Sequence, residues 1–214
     1  MPTLLLVRHA QGSFGGTDYD VLSERGREQA AALAEDLERR GVAVTRVASG
    51  TLARQRDTAA PIAEVFGREI EEDACWNEYE SDEILASHAP PELATGTQRE
   101  FQAGLDEALR SWITGARGDR SWPAFRERVE AAFDVLAGSL RSGETAVVCT
   151  SGGPIAAIGV SLLDLPADGF VALNRVLVNG GVTKVITGSS GATLLSYNEH
   201  AYLERRDGSL VTYR

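Results

Sequence analysis

The chain has 214 residues, enough for one α/β unit with a full core and short for two separate domains. Its 21 basic against 31 acidic residues give a formal net charge of −10, which argues against nucleic acid or an anionic membrane as partner. A small phosphorylated molecule stays admissible, because a few converging arginines set a local potential opposite to the net charge.

Hydrophobic content of 43% and charged content of 24% are those of a folded globular chain throughout. No apolar stretch approaches the ~20 residues that cross a bilayer. No basic segment precedes the first apolar run, as a secretory signal requires, so the expected location is cytoplasmic. With Cys75, Cys149 and three histidines, neither a disulfide framework nor a His/Cys metal site is expected. Both thiols are expected to be buried, and no cofactor is implied.

In chain order, LLLVRHA at 4–10 is a continuous apolar run ending in Arg8 and His9, followed by the Gly-containing loop 11–16. This is the pattern of a strand buried on both faces in a parallel sheet. Ligands of open α/β sheets bind beyond the carboxyl ends of such strands, which is where Arg8 and His9 stand. Taken alone, the pair also has a plain structural account: Arg8 meets a carboxylate and His9 a backbone carbonyl. Residues 23–40 read as a helix capped by Ser23 and closed by Gly41, with Ala30, Leu33, Ala34 and Leu37 on its apolar stripe. A second strand at 44–48 ends at Ser49. A helix over 51–66 follows, stopped by Gly67, with Arg54 in its first turn and Pro61 as a possible kink.

Residues 69–120 interrupt the strand–helix alternation: a short strand EIEE, the acidic stretch CWNEYESDEIL, Pro90 and Pro91, and a helix with Phe101, Leu105, Leu109 and Trp112. About 75–120 reads as a lid-like insertion over the strand ends. A carboxyl held there near Trp76 and Tyr79 acquires a raised pKa and acts as an acid, but composition alone does not choose among Glu78, Glu80, Asp82 and Glu83. A helix over 122–140, capped by Ser121, carries a core stripe of Trp122, Phe125, Val129 and Phe133. The buried strand TAVVCT then runs into Ser151, Gly152, Gly153 and Pro154, a strand-to-helix junction of anion-binding form in which the glycines admit close backbone approach. The residues VTKVITGSSGATLLSYNE read as a hairpin on the sheet edge.

Three strand ends thus deliver Arg8 with His9, Arg54, and Ser151 with its glycines. These are parts of a metal-free phosphoryl-transfer pocket: guanidinium forks for phosphate oxygens, an imidazole to attack phosphorus, and a carboxylic acid for the leaving group.

The segments VRHA, LSERGREQA, SGTLARQRDTA and the NE of WNEYE, in this order, resemble the histidine phosphatase superfamily, in the branch with cofactor-dependent phosphoglycerate mutases and small bacterial phosphatases. The resemblance spans residue 4 to about 160. It implies a three-layer α/β fold with a mostly parallel central sheet flanked by helices. It further implies that His9 is the nucleophile that becomes phosphorylated, that Arg8 and Arg54 hold the phosphate, that Glu78 is the general acid, and that Ser13 touches the phosphate. The implied activity is hydrolysis of a small phosphate monoester through a phosphohistidine.

Two positions depart from that pattern. Ala10 replaces the usual glycine after the catalytic histidine, and Ser151 stands where the family places a second histidine. Losing that donor removes a charge-assisted hydrogen bond worth about 1.5–3 kcal/mol. Ser151 keeps a hydroxyl, the Gly152 and Gly153 amides remain, and His200, or less readily His88, is a possible substitute. The alternatives are a phosphate-ester-binding protein with little turnover and, behind it, a mutase-type transferase. A serine hydrolase on Ser151 fails because its elbow needs glycine where Cys149 stands. Neither the substrate nor the oligomeric state is written in the sequence.

Overall fold

The computed structural model describes residues 1–13, 20–88, 98–115, 118 and 120–213. Pro90, Pro91, part of the loop 11–16, and the side chains of Asp82, His88 and Phe101 lie outside the described residues.

The apolar run opens the chain as β1 (Thr3–Arg8). Then follow α1 (Glu24–Arg39), β2 (Val44–Ser49), α2 (Ala53–Phe66) and β3 (Ile70–Glu72). A single 3-10 turn, Ala74–Trp76, leads to α3 (Ser81–His88), α4 (Gln98–Gly115) and α5 (Trp122–Ser139). The remainder is β4 (Thr145–Thr150), α6 (Gly152–Leu162), α7 (Gly169–Val176), β5 (Val182–Gly188), β6 (Gly191–Glu199) and α8 (Ala201–Arg206). Among the described residues no helix is long and apolar enough to cross a membrane.

The strands form one mixed sheet in the order β3-β2-β4-β1-β5-β6. The first four are mutually parallel, and β5 joins β1 antiparallel. The hairpin β5–β6 therefore supplies one edge, as the Gly-Ser-Ser-Gly turn leads one to expect. Strand pleating sends alternate residues to opposite faces. Leu4, Leu6, Ala146 and Val148 accordingly pack with residues of α4, α5, α6 and α7, while Leu5, Val7, Val147 and Cys149 pack with residues of α1, α2 and α8. Helix, sheet and helix make the expected three layers. Pro61 sits inside α2, which is assigned as one helix across it.

The described residues of the 75–120 region are bound into the first of these cores. Leu105, Ala108, Leu109 and Trp112 of α4 are buried there with Trp76 and Tyr79. Trp122 and Phe170 lie 4.4 Å apart between ring centroids, Tyr79 and Trp112 5.5 Å, and Trp112 and Trp122 5.6 Å. The tilted and edge-on arrangements are those aromatic quadrupoles favour. Fully burying a side chain such as Phe170 contributes about 1.5–3 kcal/mol. Three short helices, α3, α7 and α8, are additions to the sequence reading, and Cys75 is a correction to it. Cys149 is buried, and burial pushes its thiol well up, whereas Cys75 is only half-buried on the 3-10 turn.

At the sheet's far edge Arg46 of β2 grips Glu71 of β3 with both arms, Nε to Oε1 at 2.8 Å and Nη2 to Oε2. That hydrogen bonding holds Glu71 below the usual carboxylate range, against the opposing effect of burial. A depressed carboxylate stabilises the fold above its unfolded pKa and ceases to do so as pH falls through its folded value. Both side chains are partly exposed, which limits the effect. Glu71→Gln should cost less than about 1 kcal/mol at neutral pH, with the difference closing in acid. Urea unfolding across a pH series checks this, and a difference that grows in acid would contradict it.

Candidate active site

Parallel pairing of β1 with β4 sets Arg8 opposite Thr150, and pairing of β2 with β4 sets Ser49 opposite Cys149. Three strand ends lie side by side as a result. The His9 amide continues the ladder, donating to Thr150 O at 2.7 Å. His9 is 2% exposed. Its Nδ1 lies 2.8 Å from Ala10 O, and a carbonyl only accepts, so this contact assigns the ring hydrogen to Nδ1 and leaves Nε2 with its lone pair. The Nε–H of Arg54 meets that nitrogen at 3.3 Å.

Arg54 reaches His9 because α2 is docked against the residue that follows the histidine. Thr58 lies one turn beyond Arg54 on the same helix face. Its hydroxyl donates to Arg54 O at 2.6 Å and accepts from Ala10 N at 3.0 Å. This contact accounts for the Leu-x-Arg-x-x-x-Thr-Ala spacing. Asp20 closes the other side: its carboxylate accepts from Ala53 N at 2.8 Å, Arg54 N at 3.3 Å and Arg54 Nη1 at 2.8 Å. A carboxylate at a helix N-terminus is electrostatically favoured, and here it also orients the guanidinium. Arg56, by contrast, is exposed and pairs with Glu72.

The Leu-Ser-x-x-Gly element has an equally local cause. Ser23 caps α1 by accepting from Gly26 N at 3.0 Å, while its hydroxyl donates to Gln11 Oε1 and its amide to Gln11 O. A methyl group on Gly26 would come within 2.1 Å of Gln11 O, so glycine is what lets the loop after His9 lie on the helix. Ala10 is fully buried with Leu22 and Ala30, and its backbone does not take the left-handed conformation that would demand glycine. The replacement is therefore accommodated. Ser13 belongs to this loop, donating its amide to Val21 O at 2.7 Å.

Arg8 is 4% exposed and donates through Nη1 to Leu177 O. That carbonyl is positioned in turn by Asn198, whose side chain accepts from Val178 N at 2.8 Å and donates to Val176 O at 2.7 Å. Nearby, burial pushes the Tyr197 hydroxyl up, and the Arg8 charge pulls it the other way. Behind His9, Asn179 Nδ2 donates to His9 O at 3.2 Å, and Thr212 and Gln29 continue the chain of hydrogen bonds to Gln11 N.

Ser151 is the N-cap of α6 and fully buried. Gln55 Nε2 donates to its Oγ at 2.9 Å and to Trp76 O at 3.2 Å. Two residues on, the Gly153 amide meets Glu78 at 3.0 Å to Oε1 and 3.2 Å to Oε2. Of the acidic stretch, Glu78 is thus the carboxylate brought to the α6 N-terminus and is 7% exposed, whereas Glu80 and Glu83 are exposed. Gly152 packs against Asn174 of α7, whose Nδ2 donates to Tyr79 Oη at 3.2 Å. A cavity of about 580 Å³ opens on the Glu78 side, walled by Tyr79, Glu80, Glu83, Arg120 and Arg128. His9 and Arg54 are not among its walls. Arg128 is half-buried, and burial lowers its pKa against the pull of surrounding acidic groups.

His200 turns elsewhere. Its Nδ1 lies 2.7 Å from Asn198 O and its Nε2 3.7 Å from Glu204. Trp76, Tyr79 and Trp112 are buried in the aromatic core. Among the described residues no group of three or more His, Cys, Asp or Glu is placed to hold a metal ion. Sequence reasoning missed Asp20, Gln55, Thr58, Asn174 and Asn179. Of these Gln55 and Thr58 lie inside the Leu-x-Arg-x-x-x-Thr-Ala element, and only Thr58 at one of its defining positions.

The Gly153 contact yields a direct test. A methyl group there would lie 2.0 Å from Glu78 Oε1 and 2.7 Å from Tyr79 Cδ1. Gly153→Ala should therefore displace the carboxylate and cost about 1–3 kcal/mol in urea unfolding. Unchanged stability would contradict the described approach.

Comparison with known proteins identifies the family and the fold. The sequence matches the histidine phosphatase superfamily (branch 1) over residues 4–200. Glucosyl-3-phosphoglycerate phosphatase of Mycolicibacterium vanbaalenii is 30% identical over 189 residues, 79% of this chain and 78% of that protein. The native structure of a mycobacterial glucosyl-3-phosphoglycerate phosphatase superposes with a TM-score of 0.66 at 25% identity, covering 92% of this chain and 98% of the other. A phosphoserine phosphatase from Entamoeba histolytica, in complex with 3-phosphoglyceric acid, shares the fold, with a TM-score of 0.66 at 20% identity over 95% of this chain and all of the other. With the matched region running from the strand that leads into His9 to the end of the edge hairpin, the chain belongs to the histidine phosphatase superfamily.

Proposed function

We propose that the protein hydrolyses a small phosphate monoester through a phosphohistidine on His9, using only its own side chains. The observation that carries the reading is the state of His9: Nδ1 is committed to Ala10 O, and Nε2 faces the Arg54 Nε–H at 3.3 Å. In the first step Nε2 attacks phosphorus, the ester P–O bond breaks, and its electron pair goes to the leaving oxygen, which takes a proton from the Glu78 carboxyl. In the second, water attacks the phosphoryl group, the P–N bond returns its electron pair to Nε2, and Glu78 recovers a proton from the water. Arg8, Arg54, Ser13, Ser151 and the Gly152 amide hold the phosphoryl oxygens in this reading, while the Gly153 amide stays on Glu78. Forked guanidinium donors and a helix N-terminus suit a group whose charge is spread over three oxygens.

The relative at 30% identity makes glucosyl-3-phosphoglycerate the first substrate to test. A second reading, ester binding with little turnover, is favoured by one observation: Ser151 is fully buried and engaged by Gln55. Phosphate release from glucosyl-3-phosphoglycerate and from phenyl phosphate separates the two. Hydrolysis of either, falling at least about a thousandfold in His9→Ala, is expected. Binding without release would establish the second reading, and hydrolysis that survives His9→Ala would remove the histidine from the chemistry.

A further inference from the structure

We infer that Arg128 of α5 is a positioning residue for the general acid, holding the segment that carries Glu78 through three backbone carbonyls. The inference rests on Glu78 being that acid. Between the 3-10 turn and α3 the chain belongs to no helix or sheet, and apart from Ala74 O, which accepts from Asn77 N at 3.0 Å, the carbonyls leading up to Glu78 have no partner within the turn. They are met by side chains instead. Arg128 donates from Nη1 to Ala74 O at 2.7 Å and Cys75 O at 3.2 Å, and from Nη2 to Asn77 O at 3.1 Å. Trp76 O, the remaining carbonyl of this run, accepts from Gln55 Nε2 and, at 2.5 Å, from the Thr150 hydroxyl. Of these four successive carbonyls, three are gripped from α5 and one, Trp76 O, from α2 and β4, and the next residue is Glu78.

The guanidinium is seated as well as bonded, with its central carbon 5.1 Å from the Phe125 ring centroid, and Phe125 in turn packs edge-on against Tyr79 at 5.9 Å. A planar fork can serve three carbonyls at once from this seat. A lysine ammonium, a point charge on a flexible stem, cannot reproduce that span. On the far side the Thr51 amide and hydroxyl meet the Asn77 side chain, each at 2.8 Å, tying the segment to the turn before α2. Glu78 then has one short backbone step in which to reach the Gly153 amide. Slackening at the Asn77 carbonyl passes directly to the carboxyl, and sub-ångström misplacement of an acid is felt in the rate.

A general acid matters in proportion to the need of its leaving group for a proton, and that gives the test. Wild type, Glu78→Gln, Arg128→Met, Arg128→Lys and the Glu78→Gln/Arg128→Met double variant are compared on phenyl phosphate and on dinitrophenyl phosphate, whose phenolate leaves without help. Glu78→Gln should lose about a hundredfold in the saturating single-turnover rate of leaving-group release, which reports the first step alone, on phenyl phosphate and little on dinitrophenyl phosphate. Arg128→Met should follow the same selectivity with about a tenfold loss, Arg128→Lys should recover part of it, and the double variant should fall no further than Glu78→Gln. Vanadate binding, unchanged in the Arg128 variants, shows that they are folded with an intact phosphate site. Equal losses on both substrates, a change confined to KM, or additive losses in the double variant would overturn the role of Arg128 while Glu78→Gln stays selective. A Glu78→Gln variant without leaving-group selectivity would overturn the acid assignment itself, and Arg128 with it.

Discussion

The site depends on one register. TLLLVR and TAVVCT pair in parallel with Arg8 opposite Thr150, and the ladder continues one step further into the His9 amide. From that pairing the N-terminus of α6 falls beside the histidine, and with it the Gly153 amide on which Glu78 rests. A one-residue slip would reverse every side chain between the two apolar faces. Burial on both faces of β1 and β4 therefore fixes the position of the reacting groups as firmly as it fixes the fold.

Around this frame, polar groups are used twice. Thr58 closes a turn of α2 and receives the Ala10 amide, and Asp20 caps α2 while orienting Arg54. Gln55 joins Ser151 to Trp76 O. Buried polar groups are costly unless satisfied, so such shared contacts make the site rigid where the proposed chemistry needs it.

Much of this was legible. The apolar run ending in Arg8 and His9, the capped helix after Ser23 and the glycines after Ser151 are local patterns with local causes, and the structure brings His9, Arg54 and Thr58 together through them. The acid is harder: composition leaves four carboxylates open, the family resemblance points to Glu78, and burial together with the Gly153 contact sets Glu78 apart from its exposed neighbours Glu80 and Glu83. Asp20 reaches α2 across 34 positions and Asn179 reaches His9 across 170, distances at which spacing carries no signal. Helix α7 is eight residues long, short for periodicity to reveal, although its Phe170 and Asn174 support the aromatic core and Tyr79. Trp76, Tyr79 and Trp112 are placed in the core by tertiary packing rather than by any local pattern.

The central claim is that Nε2 of His9 forms a bond to phosphorus during turnover. Rapid alkaline quenching of the protein with a substrate it hydrolyses, followed by peptide mass spectrometry, tests it most directly. The account predicts a phosphoryl group on the peptide containing His9, present during turnover and absent from His9→Ala. Turnover with no label at His9, or with the label on Ser151, would contradict it.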